Sequence, residues 1–223
     1  WQDPHLASRF SATQFDRRVG NKLALQGELG LEQNGDIPLL TMVTRLTEQK
    51  GLDLVLPVMD LILELGVQFA ILGSGSRQLE DAFRAMEARH RGRAVAWIGY
   101  DEPLAKRFYG GGDLFLMPSR YEPCGLSQMY AMRYGNVPVV RYTGGLRDTV
   151  FDLDEGLDRA TGFGFESQSP YMLYETVRNA VTLYRENRGA FNRVAVNAMN
   201  QRHSWQRTVA AYTSLYQGLA NRN

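Results

Sequence analysis

Short apolar runs recur along the chain from residue 38, and each gives way to a helical or turn-forming stretch. Residues 38–45 (PLLTMVTR), 67–72 (VQFAIL), 94–98 (AVAWI), 113–117 (DLFLM) and 137–140 (VPVV) are short and apolar, and read as buried strands. Between them, residues 53–65 place Leu54, Val55, Val58, Leu61, Ile62 and Leu65 at helical spacing, with Gly66 as a stop. Residues 77–89, 102–109 and 126–134 also read as helices, as does the stretch Lys22–Leu31, which ends near Gly30. Beyond Thr161-Gly162-Phe163-Gly164-Phe165 the pattern is helical in three segments, 170–187, 189–201 and 204–219. Strands alternating with helices predict an α/β fold, a parallel sheet covered by helices on both faces. Ligands bind such sheets outside the carboxyl ends of the strands, where the strand order reverses. Function is therefore sought in the loops 44–51, 73–76, 99–101, 118–125 and 142–148.

Composition narrows the class. The 223 residues are 44% apolar and 22% charged, an ordinary globular balance. With 25 Lys and Arg against 24 Asp and Glu the net charge is +1, which argues against a grip on nucleic acid. No run of 18 apolar residues marks a membrane span. A single cysteine, Cys124, forbids an intrachain disulfide and suits a reducing compartment. The chain starts at Trp1 without Met, so it is expected to be part of a longer protein.

The strand-end loops carry the chemistry. Arg45 and Lys50 follow the first strand five residues apart. A turn between them brings a planar fork and a compact charge onto one anion, a pairing suited to a diphosphate. The same spacing occurs in isolated surface cations, and spacing alone leaves both readings open. Tyr100 follows the third strand, either stacking on a flat base or capping the sheet half-buried. The richest loop is Pro118-Ser119-Arg120-Tyr121-Glu122-Pro123-Cys124-Gly125-Leu126. Glu122 can accept from sugar hydroxyls and stabilise positive charge at an anomeric carbon, or simply favour the helix start. Cys124 packs as a small apolar residue or carries a thiolate favoured at a helix start. The three histidines (His5, His90, His203) lie outside these loops, which argues against a Cys–His nucleophile and a zinc site. In Thr143-Gly144-Gly145 the paired glycines admit a ligand close to the backbone, or make a plain turn. Gly73-Ser74-Gly75 lacks the spacing of a dinucleotide fingerprint.

Together these stretches resemble the C-terminal half of glycosyltransferase family 5, the bacterial glycogen synthases and plant starch synthases. The resemblance rests on TRLTEQKGLD from Thr44, IGYDEPLAKRFYGGGDLFLMPS from Ile98, SRYEPCGLSQMYAMRYGNVPVVRYTGGLRDTV from Ser119 and the tail QRHSWQRTVAAYTSLY from Gln201. It implies a GT-B architecture, with two Rossmann-like domains facing across a cleft. On this basis residues 1–36 are expected as interdomain linker, 37–165 as the Rossmann-like donor domain, and 166–223 as C-terminal helices. The last of those helices would cross back to an N-terminal domain. The implied reaction is retaining, metal-free and cofactor-free transfer of glucose from ADP-glucose to an α-1,4-glucan, releasing ADP. Arg45 and Lys50 match the pair that holds the diphosphate, Tyr100 the ring on the adenine, and Glu122 the acid at the transferred glucose. Cys124, Gly125 and Leu126 match the motif whose amides meet phosphate or sugar, with Thr143 and Gly144 nearby. Tyr130 stands where wider relatives place a second acid. The N-terminal Lys-x-Gly-Gly motif and cleft histidine are absent. The implied location is a bacterial cytoplasm or a plastid stroma, with no nucleic-acid or membrane partner. Alternatives are a UDP-glucose-dependent transferase and a non-catalytic module binding glucan or another protein.

Overall fold

A computed structural model describes residues 3–202 and 205–220. A short 3-10 stretch, Ala12–Arg18, leads into α1 (Val19–Glu28), and β1 (Leu39–Val43) follows. The helix expected over 53–65 is split: Pro57 lacks an amide hydrogen, and a 3-10 turn at Leu56–Val58 separates α2 (Leu52–Val55) from α3 (Met59–Glu64). Next come β2 (Gln68–Gly73), α4 (Arg77–Arg89), β3 (Ala94–Ile98), α5 (Glu102–Gly111), β4 (Leu114–Met117), α6 (Ser127–Arg133), β5 (Val137–Arg141) and α7 (Gly145–Thr149). A sixth strand that apolar periodicity did not reveal, β6 (Phe163–Phe165), precedes α8 (Pro170–Glu186), α9 (Arg188–Asn200) and α10 (Trp205–Ala220). Three residues interrupted by Gly164 are too few to show a pattern.

The six strands form one parallel sheet in the order β3-β2-β1-β4-β5-β6. Strict alternation sorts the side chains to two faces. Leu40, Met42, Phe69, Ile71, Leu114, Leu116, Val137 and Val139 face a core completed by α2, α3, α4 and α8. Phe115, Met117 and Val140 face α6 on the other side, while Leu39, Ala70 and Leu72 meet Leu25, Leu104 and Phe108 of α1 and α5. Order reverses between β1 and β4, the neighbours from which the chain winds outward in opposite directions. The crevice above that pair is the predicted ligand position.

The opposite edge of the sheet is held by buried charge. Lys22 Nζ meets Asp113 Oδ2 at 2.6 Å, Tyr184 Oη at 2.7 Å and Gly35 O at 2.8 Å. Asp113 Oδ2 also accepts from Leu39 N at 2.9 Å, at the start of β1. Arg18 Nε donates to Tyr134 O at 2.8 Å, and its terminal nitrogen reaches Tyr109 O at 3.3 Å and Gly112 O. These carbonyls lie at the ends of α5 and α6, where helix dipoles leave partial negative charge. One carboxylate and two helix ends thus offset two buried cations and tie the first helical segment to the sheet.

Candidate functional site

The turn after β1 is positioned by continued pairing with the chain beyond β2. Leu46 N donates to Ser74 O at 2.8 Å, Ser76 N donates to Leu46 O at 2.9 Å, and the Leu46 side chain is buried. The turn then tightens over Glu48–Lys50 and ends at Gly51, whose φ is +67°. A Cβ there would collide with Pro118 O, so glycine lets this turn lie against the loop after β4.

That loop is pinned from several sides. Arg120 N donates to Gln49 O at 2.8 Å, and the Arg120 guanidinium pairs with Asp53 at 2.6 Å and reaches Gln168 at 3.1 Å. Gln128, fully buried in α6, donates through Nε2 to Cys124 O at 3.1 Å and Gly125 O at 3.0 Å. Gly145 N donates to Glu122 O at 3.1 Å. Side chains at Gly144 or Gly145 would strike Glu122 O and Cys124 O respectively. The close approach that this glycine pair permits is therefore to the neighbouring loop's backbone.

The result is one ion pair across the crevice. Lys50 Nζ stands 2.5 Å from Glu122 Oε2, and Ser119 Oγ donates to the same oxygen at 3.2 Å. Both charged side chains are mostly buried, 16% and 11% exposed. Lys50, Arg45, Thr44, Ser119 and Ser127 line a polar cavity of about 160 Å³. Arg45, whose terminal nitrogen donates to Gln49 Oε1 at 3.3 Å, and Thr44 also line a second cavity of about 200 Å³. Its other walls include Val43, Leu72, Gly73, Tyr100 and Ala105. The Tyr100 side chain is 88% exposed, so it is no half-buried cap of the sheet.

The structure thus places Arg45 and Lys50 in one cavity, Tyr100 in the next with Arg45 at the junction, and Glu122 on Lys50. Cys124, Gly125, Leu126, Thr143 and Gly144 form the loop pair beside Glu122, outside the lining of either cavity. Cys124 and Leu126 are exposed. Residue-type reasoning missed Ser119, Ser127, Gln128 and Arg141. An arginine ending an otherwise apolar strand was the one available sign of Arg141. Burial pushes its guanidinium below the ordinary value, with Glu166 acting the other way. Burial, and then the Asp152 carboxylate, push the neighbouring Tyr142 phenol up to about 12.

This sheet order, with charged groups converging over its switch point, defines an open α/β domain built to hold a ligand between the loops after β1 and β4. Residues 30–195 match the family model described as "Glycosyl transferases group 1", and the chain belongs to that family. Among curated relatives, the glycogen synthase of Anaeromyxobacter sp. (strain Fw109-5) is 47% identical over 98% of this chain and 46% of its own length. That of Thermosipho africanus (strain TCF52B) is 41% identical over 99% of this chain and 45% of its own. The catalytic domain of starch synthase IV from Arabidopsis thaliana, solved bound to ADP and acarbose, superposes with a TM-score of 0.89. It is 34% identical over 97% of this chain and 45% of that one. The chain therefore spans about half the length of the relatives it matches.

Proposed function

We propose that this chain is the donor-binding half of a retaining glucosyltransferase that takes ADP-glucose and extends the non-reducing end of an α-1,4-glucan. The observation that carries the reading is the Lys50–Glu122 pair over the switch point, with Arg45 joining a polar cavity to a largely apolar one. In this reading the apolar cavity takes the adenosine, with Tyr100 on the base. Arg45 and Lys50 take the diphosphate and stabilise the charge that develops on departing ADP. Glu122 faces the glucose, where a carboxylate favours the oxocarbenium-like state. Loop amides near Gly125 and Leu126, and Thr143–Gly144, complete the wall. No metal or cofactor takes part. The starch synthase solved with ADP and acarbose supports both the nucleotide and the glucan.

The acceptor would be held by a second domain, to which α10 crosses back. Without that half, orientation worth about 7–11 kcal/mol of barrier lowering is missing. This chain alone is accordingly expected to bind donor and transfer no glucose. Titration calorimetry tests the reading. ADP should bind, UDP more weakly, and EDTA should change neither. Lys50→Ala should weaken ADP by about tenfold or more, the value of a charge-assisted hydrogen bond. Binding of α-glucan with no response to either nucleotide would mean a glucan module instead.

A further inference from the structure

Arg141 ends β5 at the carboxyl edge of the sheet and is only 8% exposed. Its Nε donates to Ser119 O at 2.9 Å, one terminal nitrogen to Glu166 O at 3.2 Å, and the other to Arg120 O. Among the described residues no carboxylate stands within ion-pairing distance of it. The Glu166 carboxylate is paired with Arg147 instead. A buried guanidinium without a counter-carboxylate is a costly arrangement, and here all three acceptors are main-chain oxygens. Two of them belong to the segment from which Glu122 hangs.

That segment connects directly to the charged pair. Ser119 Oγ donates to Glu122 Oε2, the oxygen that also meets Lys50 Nζ. Arg120 N donates to Gln49 O, in the turn that carries Lys50. A planar guanidinium has donors in a fixed fork, so it can hold successive carbonyls in one relative position. A lysine ammonium also has three donors, but they radiate from one nitrogen on a flexible stem and cannot span acceptors spaced to fit a guanidinium fork.

We propose that Arg141 is a positioning residue for the diphosphate-sugar site. Through the main chain of Ser119 and Arg120 it keeps the Glu122 loop in register with the Lys50 turn, and it does not touch the ligand. The inference rests on the reading of this site as one that binds a nucleoside diphosphate.

A double-mutant cycle on the 223-residue chain tests it, with ADP as the probe and calorimetry as the readout. Lys50→Ala is made in the wild-type and in the Arg141→Lys background. The expected loss of ADP affinity is about tenfold or more in the first and about threefold or less in the second. Such a gap is the non-additivity of residues in one hydrogen-bonded network. A merely structural arginine would lower the thermal unfolding midpoint and leave the Lys50 increment unchanged, so equal increments in both backgrounds overturn the proposal alone. Arg141→Gln is run in the same cycle should Arg141→Lys not fold. If neither variant folds, Arg141 is a core staple and the proposal falls. If wild type ignores ADP, or binds it equally well without Lys50, the site reading falls and takes this proposal with it.

Discussion

Lys50 is asked to serve two anions. Its ammonium lies 2.5 Å from Glu122 Oε2, and a diphosphate in the cavity it lines must draw on the same charge. The carboxylate is thus an internal competitor for the phosphate as well as a partner for the sugar. Glu122→Gln keeps the shape of the side chain and removes the competition. It is expected to tighten ADP binding by about two- to tenfold, the range for a partly buried ion pair relieved of one partner. The measurement is an ADP titration of the variant against wild type, and weaker binding would show that Glu122 supports the nucleotide site. The cations, the acid and Tyr100 stood out in the sequence as candidates because a strand-end loop gives unusual weight to charged and aromatic residue types, while their roles were implied only by the family resemblance. Ser119, Gln128 and Arg141 were not. Gln128 and Arg141 work on backbone carbonyls, and a contact with a carbonyl leaves no requirement for a complementary residue type elsewhere in the chain, while the Ser119 hydroxyl reaches Glu122 only because the loop folds back on itself.

Two turns make the crevice, and the distance between them is set by glycine as much as by charge. Gly51 sits at φ +67° against the Pro118 carbonyl, so a side chain there meets both a left-handed penalty and a collision. Gly30 has nearly the same φ, +68°, with open space around it. The pair separates the two costs. Gly30→Ala should cost about 1 kcal/mol in chemical denaturation, the left-handed penalty alone. Gly51→Ala should cost about 2 kcal/mol or more and should also weaken ADP, because relief of the collision moves Lys50 away from Glu122. Equal stabilities for the two variants would show that the turn yields without strain. At this level the alternation of five strands with helices was readable from periodicity. The break at Pro57 was signalled by the proline itself but hidden by an apolar spacing that runs on through it. The other role of a glycine, allowing backbone to meet backbone between distant loops, requires knowing which loops meet.

The two ends of the chain are treated differently by the fold. At the front, Arg18 and Lys22 are buried against Asp113, and Leu25, Leu29 and Leu31 enter the core beside Phe108, so this segment is part of the folded unit. At the back, Val209, Tyr212, Leu215, Tyr216 and Leu219 of α10 are each more than half exposed. They recur at spacings of three and four, the mark of an apolar face. Residue 204, the first of the expected last helical segment, lies outside the described residues, but the helix that follows was visible from its period. Periodicity shows that a face is apolar without showing what covers it, and the expectation of a second domain there came only from the family resemblance. Side chains left this exposed add little to the stability of the sheet. Deleting residues 203–223 should therefore leave the thermal unfolding midpoint within about 2 °C of the parent chain, less than a 1 kcal/mol effect produces at this size. Self-association at high concentration should fall, since an exposed apolar face is what drives it. Deleting residues 1–31 should instead abolish cooperative unfolding, because Asp113 and the surface of α5 would lose their partners. A large drop in midpoint on removing the tail would place α10 against this domain and would count against its crossing to another.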